Sequence, residues 1–220
     1  DHGARVAIVF DRVADTFTSI SKSTPLETVV AVNMLEEVPL RLRAALSLPV
    51  PPVTKVRAEL TAPAPGTLAW RDFLRQRSRC VHFPRITQET TAFILYTSGT
   101  SGKPKGAPLT HGNIVAVLKA GLEWLENWGA VREKVLGVLP MFHIYGLALN
   151  YALPLTIGAQ MVLVPAPKPK LYQAAIAKTQ PTVLPGVPTL YDKIIEWAVE
   201  TNADLSSIHT SISGASTLPA

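Results

Sequence analysis

This sequence predicts an α/β fold of mostly parallel sheets covered by helices, and three observations predict it. Short apolar or β-branched runs recur along the chain, from Val6–Phe10 to Thr210–Ser213. Stretches with helical periodicity lie between them. No internal repeat or low-complexity tract breaks the rhythm. Parallel neighbours need a crossover long enough to hold a helix, so this alternation argues for parallel sheet with helical cover. The expected division is a first αβ subdomain over 1–90 and a second over 91–220.

In chain order, strands are expected at Val6–Phe10, Thr28–Val32, Phe93–Thr97, Val135–Leu139, Met161–Val164, Thr182–Leu184 and Thr210–Ser213. The clearest helix runs from Asn113 to Trp128, where Ile114, Val117, Leu118, Gly121, Leu125 and Trp128 share one face. Thr110 is placed to cap its start and Gly129 to end it. Tyr172–Lys178 and Thr189–Val199 are the next helices, with Pro188 suited to a first helical turn. Residues 37–66 break the rhythm: Pro39, Pro49, Pro51, Pro52, Pro63 and Pro65 bracket a basic amphipathic piece. A surface excursion with a short packed helix accounts for it better than a membrane-touching helix, because such faces are common on ordinary surfaces. Between Lys134 and Lys168 there is no charged residue, but Pro140, Pro154 and three glycines interrupt the stretch. His143, Asn150 and Gln160 would also face lipid unsatisfied, so it reads as a buried strand–helix–strand unit and not a membrane span.

Composition narrows the function classes. With 220 residues and 47% hydrophobic content, the chain can bury a core. Its net charge of +5 is spread out with little aromatic interleaving, which argues against nucleic acid. Cys80 is the only cysteine, so there is no intrachain disulfide and a reducing, cytoplasmic setting is natural.

The run from Tyr96 to Gly106 carries the chemistry. Thr97, Ser98, Gly99, Thr100, Ser101, Gly102, Lys103, Pro104, Lys105 and Gly106 follow an apolar strand. Glycines let backbone N–H groups approach a ligand, hydroxyls add rotatable donors and lysines add point charges. That set suits a polyphosphate, where each charge-assisted hydrogen bond contributes roughly 1.5–3 kcal/mol. It is not the common NTPase P-loop, since Gly99 and Gly102 are three apart and Pro104 stands where the metal-binding hydroxyl belongs. Nor is it a hydrolase elbow, as no Gly-x-Ser-x-Gly surrounds Ser98 or Ser101.

This run resembles the signature loop of the adenylate-forming enzymes, which include acyl-CoA synthetases, luciferases and peptide-synthetase adenylation domains. Three further blocks follow in that family's order: Pro140-Met141-Phe142-His143-Ile144-Tyr145-Gly146, Pro185-Gly186-Val187-Pro188-Thr189-Leu190-Tyr191 and Ser213-Gly214-Ala215-Ser216-Thr217-Leu218-Pro219. Their wording is most similar to bacterial long-chain fatty acid–CoA ligases, and the chain looks like part of the large domain. The resemblance implies two steps. A fatty carboxylate attacks the α-phosphorus of ATP and expels pyrophosphate, and coenzyme A then takes the acyl group.

By resemblance, Thr97 to Gly106 hold the β- and γ-phosphates, with Lys105 the catalytic lysine and Lys103 facing solvent. A lone histidine in an apolar run is ordinarily a core residue, but the Phe-His-x-x-Gly block assigns His143 to orienting the carboxylate and closing the tunnel mouth. Tyr145, Gly146, Gly186 and Val187 are implied at the substrate, and Gly214, Ala215 and Ser216 along the adenine. His111 is expected to start a helix beside the loop and to serve in capping it. Mg²⁺ is implied with ATP, but the family's Tyr-Gly-x-Thr-Glu block with its metal-binding glutamate is not in the sequence. The ribose-binding aspartate and the small-domain lysine are not there either. Both ends read as cuts through a longer protein, and the isolated chain is expected to be inactive. Peripheral contact with the inner face of the membrane and a homodimer are compatible with the resemblance. Two alternatives stay open: a ligase for an aryl, short-chain or amino acid, and a non-catalytic nucleotide- or acyl-binding module. An amino-acid activator would typically place an aspartate between Lys134 and Lys168, and none occurs.

Overall fold

The computed structural model describes residues 3–76, 83–98, 102–125 and 132–217. The chain divides into two compact units, Asp1–Pro84 and Arg85–Ala220.

In the first unit, β1 (Val6–Phe10), β2 (Thr28–Val32) and β3 (Leu68–Ala69) form a parallel sheet in that order. The first two strands have the bounds the sequence predicts, and Val6 lies opposite Thr28. Helix α1 (Ala14–Ile20) lies in the β1–β2 crossover, and Ala14 and Val30 are fully buried. On β1 every second residue faces out, leaving Val6, Ile8 and Phe10 about half exposed. The Pro-rich excursion forms two helices, α2 (Leu40–Leu46) and α3 (Pro51–Leu60), and neither contains a buried residue. Pro51 and Pro52 occupy the first turn of α3, where a missing N–H is harmless. Helix α4 (Trp70–Arg75) follows β3, and its Arg71 pairs with Glu36 at 3.1 Å.

The second unit opens differently from the sequence expectation. Strand β4 (Thr91–Thr97) does not lead through the glycine-rich loop into a helix. It pairs antiparallel with β5 (Lys105–Thr110), with Thr97 opposite Lys105 at the end of the ladder. The apolar residues of β4 are only partly covered, so it is not the buried strand expected. Helix α5 (His111–Trp124) starts two residues before the predicted Asn113. Its cap is Thr110, whose Oγ1 accepts from the Asn113 N–H at 3.1 Å while the Asn113 side chain accepts from the Thr110 N–H at 3.0 Å. His111 is therefore the first helical residue and not the cap. The predicted end of this helix, Trp128 and Gly129, lies outside the described residues.

Four parallel strands follow: β6 (Lys134–Gly137), β7 (Gln160–Leu163), β8 (Val183–Gly186) and β9 (Thr210–Ser213), in the order β7-β6-β8-β9. The uncharged stretch is the expected strand–helix–strand unit. After β6 come the single turn α6 (Ile144–Gly146), a π-helix (Leu147–Ala152) and α7 (Leu153–Ile157), which ends at Gly158 in the left-handed region. Helix α8 (Pro169–Thr179) joins β7 to β8, and α9 (Pro188–Thr201) joins β8 to β9. Pro188 does start its helix. Leu136, Val162 and Leu184 of the sheet pack with Tyr172, Ile176, Leu190 and Ile194 of α8 and α9. Among the described residues, no helix is long and apolar enough to cross a membrane.

The amino ends of β6, β8 and β9 are tied by a buried carboxylate. Glu133 is 3% exposed, accepts the Thr182 hydroxyl, and lies 3.3 Å from Nε2 of His209. The Lys134 N–H donates to the same hydroxyl at 2.9 Å, and the Lys134 ammonium caps the last turn of α8 through the Thr179 carbonyl.

Candidate functional site

Several residues singled out by the sequence follow strand ends, Ser98 after β4, Val187 after β8 and Gly214–Ser216 after β9, and open α/β sheets bind ligands at such ends. Thr97 ends β4 and Lys105 begins β5, both exposed, with Ser98 and Lys103 exposed beside them. Gly99, Thr100 and Ser101 lie outside the described residues. Gly102 has φ +77°, a left-handed turn that favours glycine. Gly106 is held small by its neighbours, since a Cβ there would come 3.0 Å from the Ile94 side chain and 3.2 Å from the Tyr96 ring.

His143 follows β6 on the Pro140–Gly146 turn and is exposed. Its Nδ1 accepts the Tyr145 N–H at 3.2 Å, and its own N–H donates to the Pro140 carbonyl at 3.1 Å. A neutral ring with Nδ1 accepting carries its proton on Nε2, leaving that N–H to donate outward. Gly146 closes the turn so tightly that a Cβ would fall 2.1 Å from the Pro140 carbonyl oxygen.

Tyr145 does not lie as a free substrate contact. Its hydroxyl donates to the Ile212 carbonyl at 2.6 Å, with the Gly186 carbonyl at 3.3 Å, and its ring rests on Gly214. Tyr191, to which the sequence assigned no role, brings a second hydroxyl to the Ile212 carbonyl at 2.7 Å and to Leu184 at 2.8 Å. Burial holds both phenols above the usual tyrosine range, and for Tyr191 the neighbouring Tyr145 adds to the effect. The segment after β9 is therefore tied to the turn after β6, and the Gly214 N–H donates back to the Gly186 carbonyl at 3.3 Å. Ala215 is left-handed at φ +67°, a conformation uncommon outside glycine, and Ser216 beside it is exposed.

Two hollows flank this region. A cavity of about 150 Å³ lies between α5 and the π-helix, lined by Leu109, Ile114, Val117 and Leu118 on one side and Ile144, Leu147 and Ala148 on the other. Its walls are almost wholly apolar, and one of them, Ile144, is next to His143 in sequence. The sequence did not name these wall residues as a pocket, although their spacing on α5 is the face that predicted the helix. Val187 faces a different, more open groove of about 530 Å³ shared with Pro140, Tyr172 and Lys193. Gly186 packs against the Tyr191 ring. The substrate residues inferred from sequence are thus not all at one pocket: Val187 lines the groove, while Tyr145 and Gly186 meet at the strand ends.

Known proteins resemble this chain in sequence and in fold. The chain is 38% identical over 148 residues, 66% of its length, to the long-chain-fatty-acid–CoA ligase of Bacillus subtilis, of which the match covers 26%. It is 29% identical over 220 residues, 97% of its length, to the Salmonella typhimurium protein of the same name, covering 38% of that relative. The chain thus spans well under half the length of these relatives. Among solved structures it superposes on an anthranilate CoA ligase, AuaEII, with TM-score 0.72 at 22% identity, covering 99% of this chain and 37% of that one. For a long-chain-fatty-acid-CoA ligase from Archaeoglobus fulgidus the TM-score is 0.65, again at 22% identity, with coverage of 99% and 37%. These structures share the predicted α/β fold. The family model described as AMP-binding enzyme matches residues 1–220, and this chain belongs to that family.

Proposed function

We propose that this chain supplies the phosphate loop, the carboxylate-orienting histidine and part of the acyl wall of a long-chain fatty acid–CoA ligase. The observation that supports the reading is the apolar cavity between α5 and the π-helix, whose lining includes Ile144, the residue after His143. The cavity takes only the first few carbons of an acyl chain, each methylene buried there contributing about 0.8 kcal/mol, with the carboxylate beside His143. Lys105 and the loop hydroxyls bind the triphosphate of ATP. One carboxylate oxygen attacks the α-phosphorus, the bond to the pyrophosphate oxygen breaks, and an acyl-adenylate forms. The thiol of coenzyme A then attacks the acyl carbonyl and AMP leaves. The protein's part is positioning and charge stabilisation. Among the described residues no group of three or more His, Cys, Asp or Glu could hold a metal ion, and on this reading Mg²⁺ arrives with the triphosphate.

The test is a profile of acids presented to the full-length protein with ATP and coenzyme A, together with Lys105→Ala. Long-chain acids are expected to react fastest. Lys105→Ala is expected to slow adenylation at least about a hundredfold, the scale of losing one charge-stabilising contact, while sparing thioesterification of a preformed adenylate. A preference for aryl or short acids would overturn the chain-length assignment. Equal losses in both half-reactions would overturn the role of Lys105.

A further inference from the structure

We infer that the hydroxyls of Tyr145 and Tyr191 form a clasp that sets the spacing between the His143 turn and the Gly214–Ser216 segment, with Tyr145 as the positioning residue. The inference rests on the acyl-adenylate reading above and adds to it a device that aligns the two halves of that intermediate. Three contacts of one residue carry it. The Tyr145 N–H binds Nδ1 of His143, its hydroxyl binds the carbonyl of Ile212, and its ring packs on Gly214. A single residue therefore links the imidazole, through its backbone N–H, to the strand end two residues before Gly214, through its phenol.

The second phenol reaches the same oxygen from another element. Tyr191 lies in the first turns of α9, and its hydroxyl is within 2.7 Å of the Ile212 carbonyl and 2.8 Å of the Leu184 carbonyl. A carbonyl oxygen has two lone pairs, so it can accept both phenols, whereas each phenol has one proton to donate. Tyr145 has its close partner in Ile212, while Tyr191 can turn to Leu184. The clasp therefore depends more on Tyr145. With its hydroxyl engaged by backbone, Tyr145 acts on a ligand through the groups it holds.

Fixing the distance between two binding elements benefits a ligand that touches both and does little for one that touches either alone. That difference gives the test. Binding of three probes to the full-length protein is measured by calorimetry: AMP, a long-chain fatty acid, and a non-hydrolysable acyl-sulfamoyl adenosine that joins both halves. Tyr145→Phe keeps the ring and removes only the hydroxyl. It is expected to weaken the joined probe about tenfold, the scale of one net hydrogen bond and its alignment, with AMP and fatty acid each within about twofold of wild type. Tyr191→Phe is expected to give a smaller loss of the same kind. Wild-type binding of all three probes by Tyr145→Phe would overturn the clasp. Weakening of all three by one common factor, or loss of the folded state in both variants, would overturn it too, because the hydroxyls would then be structural only. Failure of the wild-type protein to bind the joined probe would instead bring down the ligase reading itself.

Discussion

At the scale of single residues, the site is shaped by what cannot be added to it. Gly214 has no room for a methyl group, because a Cβ would sit 2.9 Å from Cζ of Tyr145. The ring cannot easily swing aside while its hydroxyl is held by Ile212. Gly214→Ala should therefore destabilise the chain by about 1–3 kcal/mol, the usual range for overpacking. The loss should shrink when Tyr145 is also replaced by alanine. Urea unfolding of the two single variants and the double variant checks this, and strictly additive effects would show that ring and methyl do not meet. Beside it, Ala215 holds a left-handed backbone that glycine would adopt without strain. Backbone strain of this sort concentrates at ligand-binding segments, which agrees with the place of Ala215 in the candidate site.

At the scale of elements, the sequence revealed most of the strands and less of how they pair. Val6–Phe10, Thr28–Val32 and Thr210–Ser213 are dense in β-branched or apolar residues, and their bounds are those observed. Strand β5 was missed because Lys105-Gly106-Ala107-Pro108-Leu109-Thr110 has no alternation and contains two residues that strands usually avoid. A two-residue strand such as β3 carries too little signal to be seen. The motif blocks named His143, Gly186 and Gly214. They gave no hint that Tyr145 and Tyr191 would spend their hydroxyls on one carbonyl, since that contact joins residues 67 and 21 positions apart. Those phenols also predict an alkaline response. Each holds its proton more tightly in the folded chain than at the usual value of about 10. Their stabilising effect is fully present below about pH 10 and is lost as pH rises through the raised values. Unfolding midpoints should stay level up to about pH 9 and fall above about pH 10, with phenolate absorbance appearing together with unfolding. Tyr191→Phe should soften that fall, and an unchanged slope would sever the link to this group.

At the scale of the whole molecule, the fold class was legible because alternation of strand and helix is a global pattern that survives local misreadings. The apolar cavity was less so. A cavity is a relation between faces far apart in sequence, here α5 and the π-helix after β6. The contiguous core of β6, β7, β8, α8 and α9 belongs entirely to Arg85–Ala220. A polypeptide of residues 85–220 should therefore unfold cooperatively in urea with α/β circular dichroism. A gradual, featureless transition would show that this core needs residues 1–84.

The outward side chains of β1 have a practical consequence. Among the described residues β1 pairs with a strand on one flank only, and with Val6, Ile8 and Phe10 about half exposed it is a template for another chain's strand. Concentrated solutions of this polypeptide are therefore expected to scatter light, and Ile8→Lys is expected to lessen the scatter.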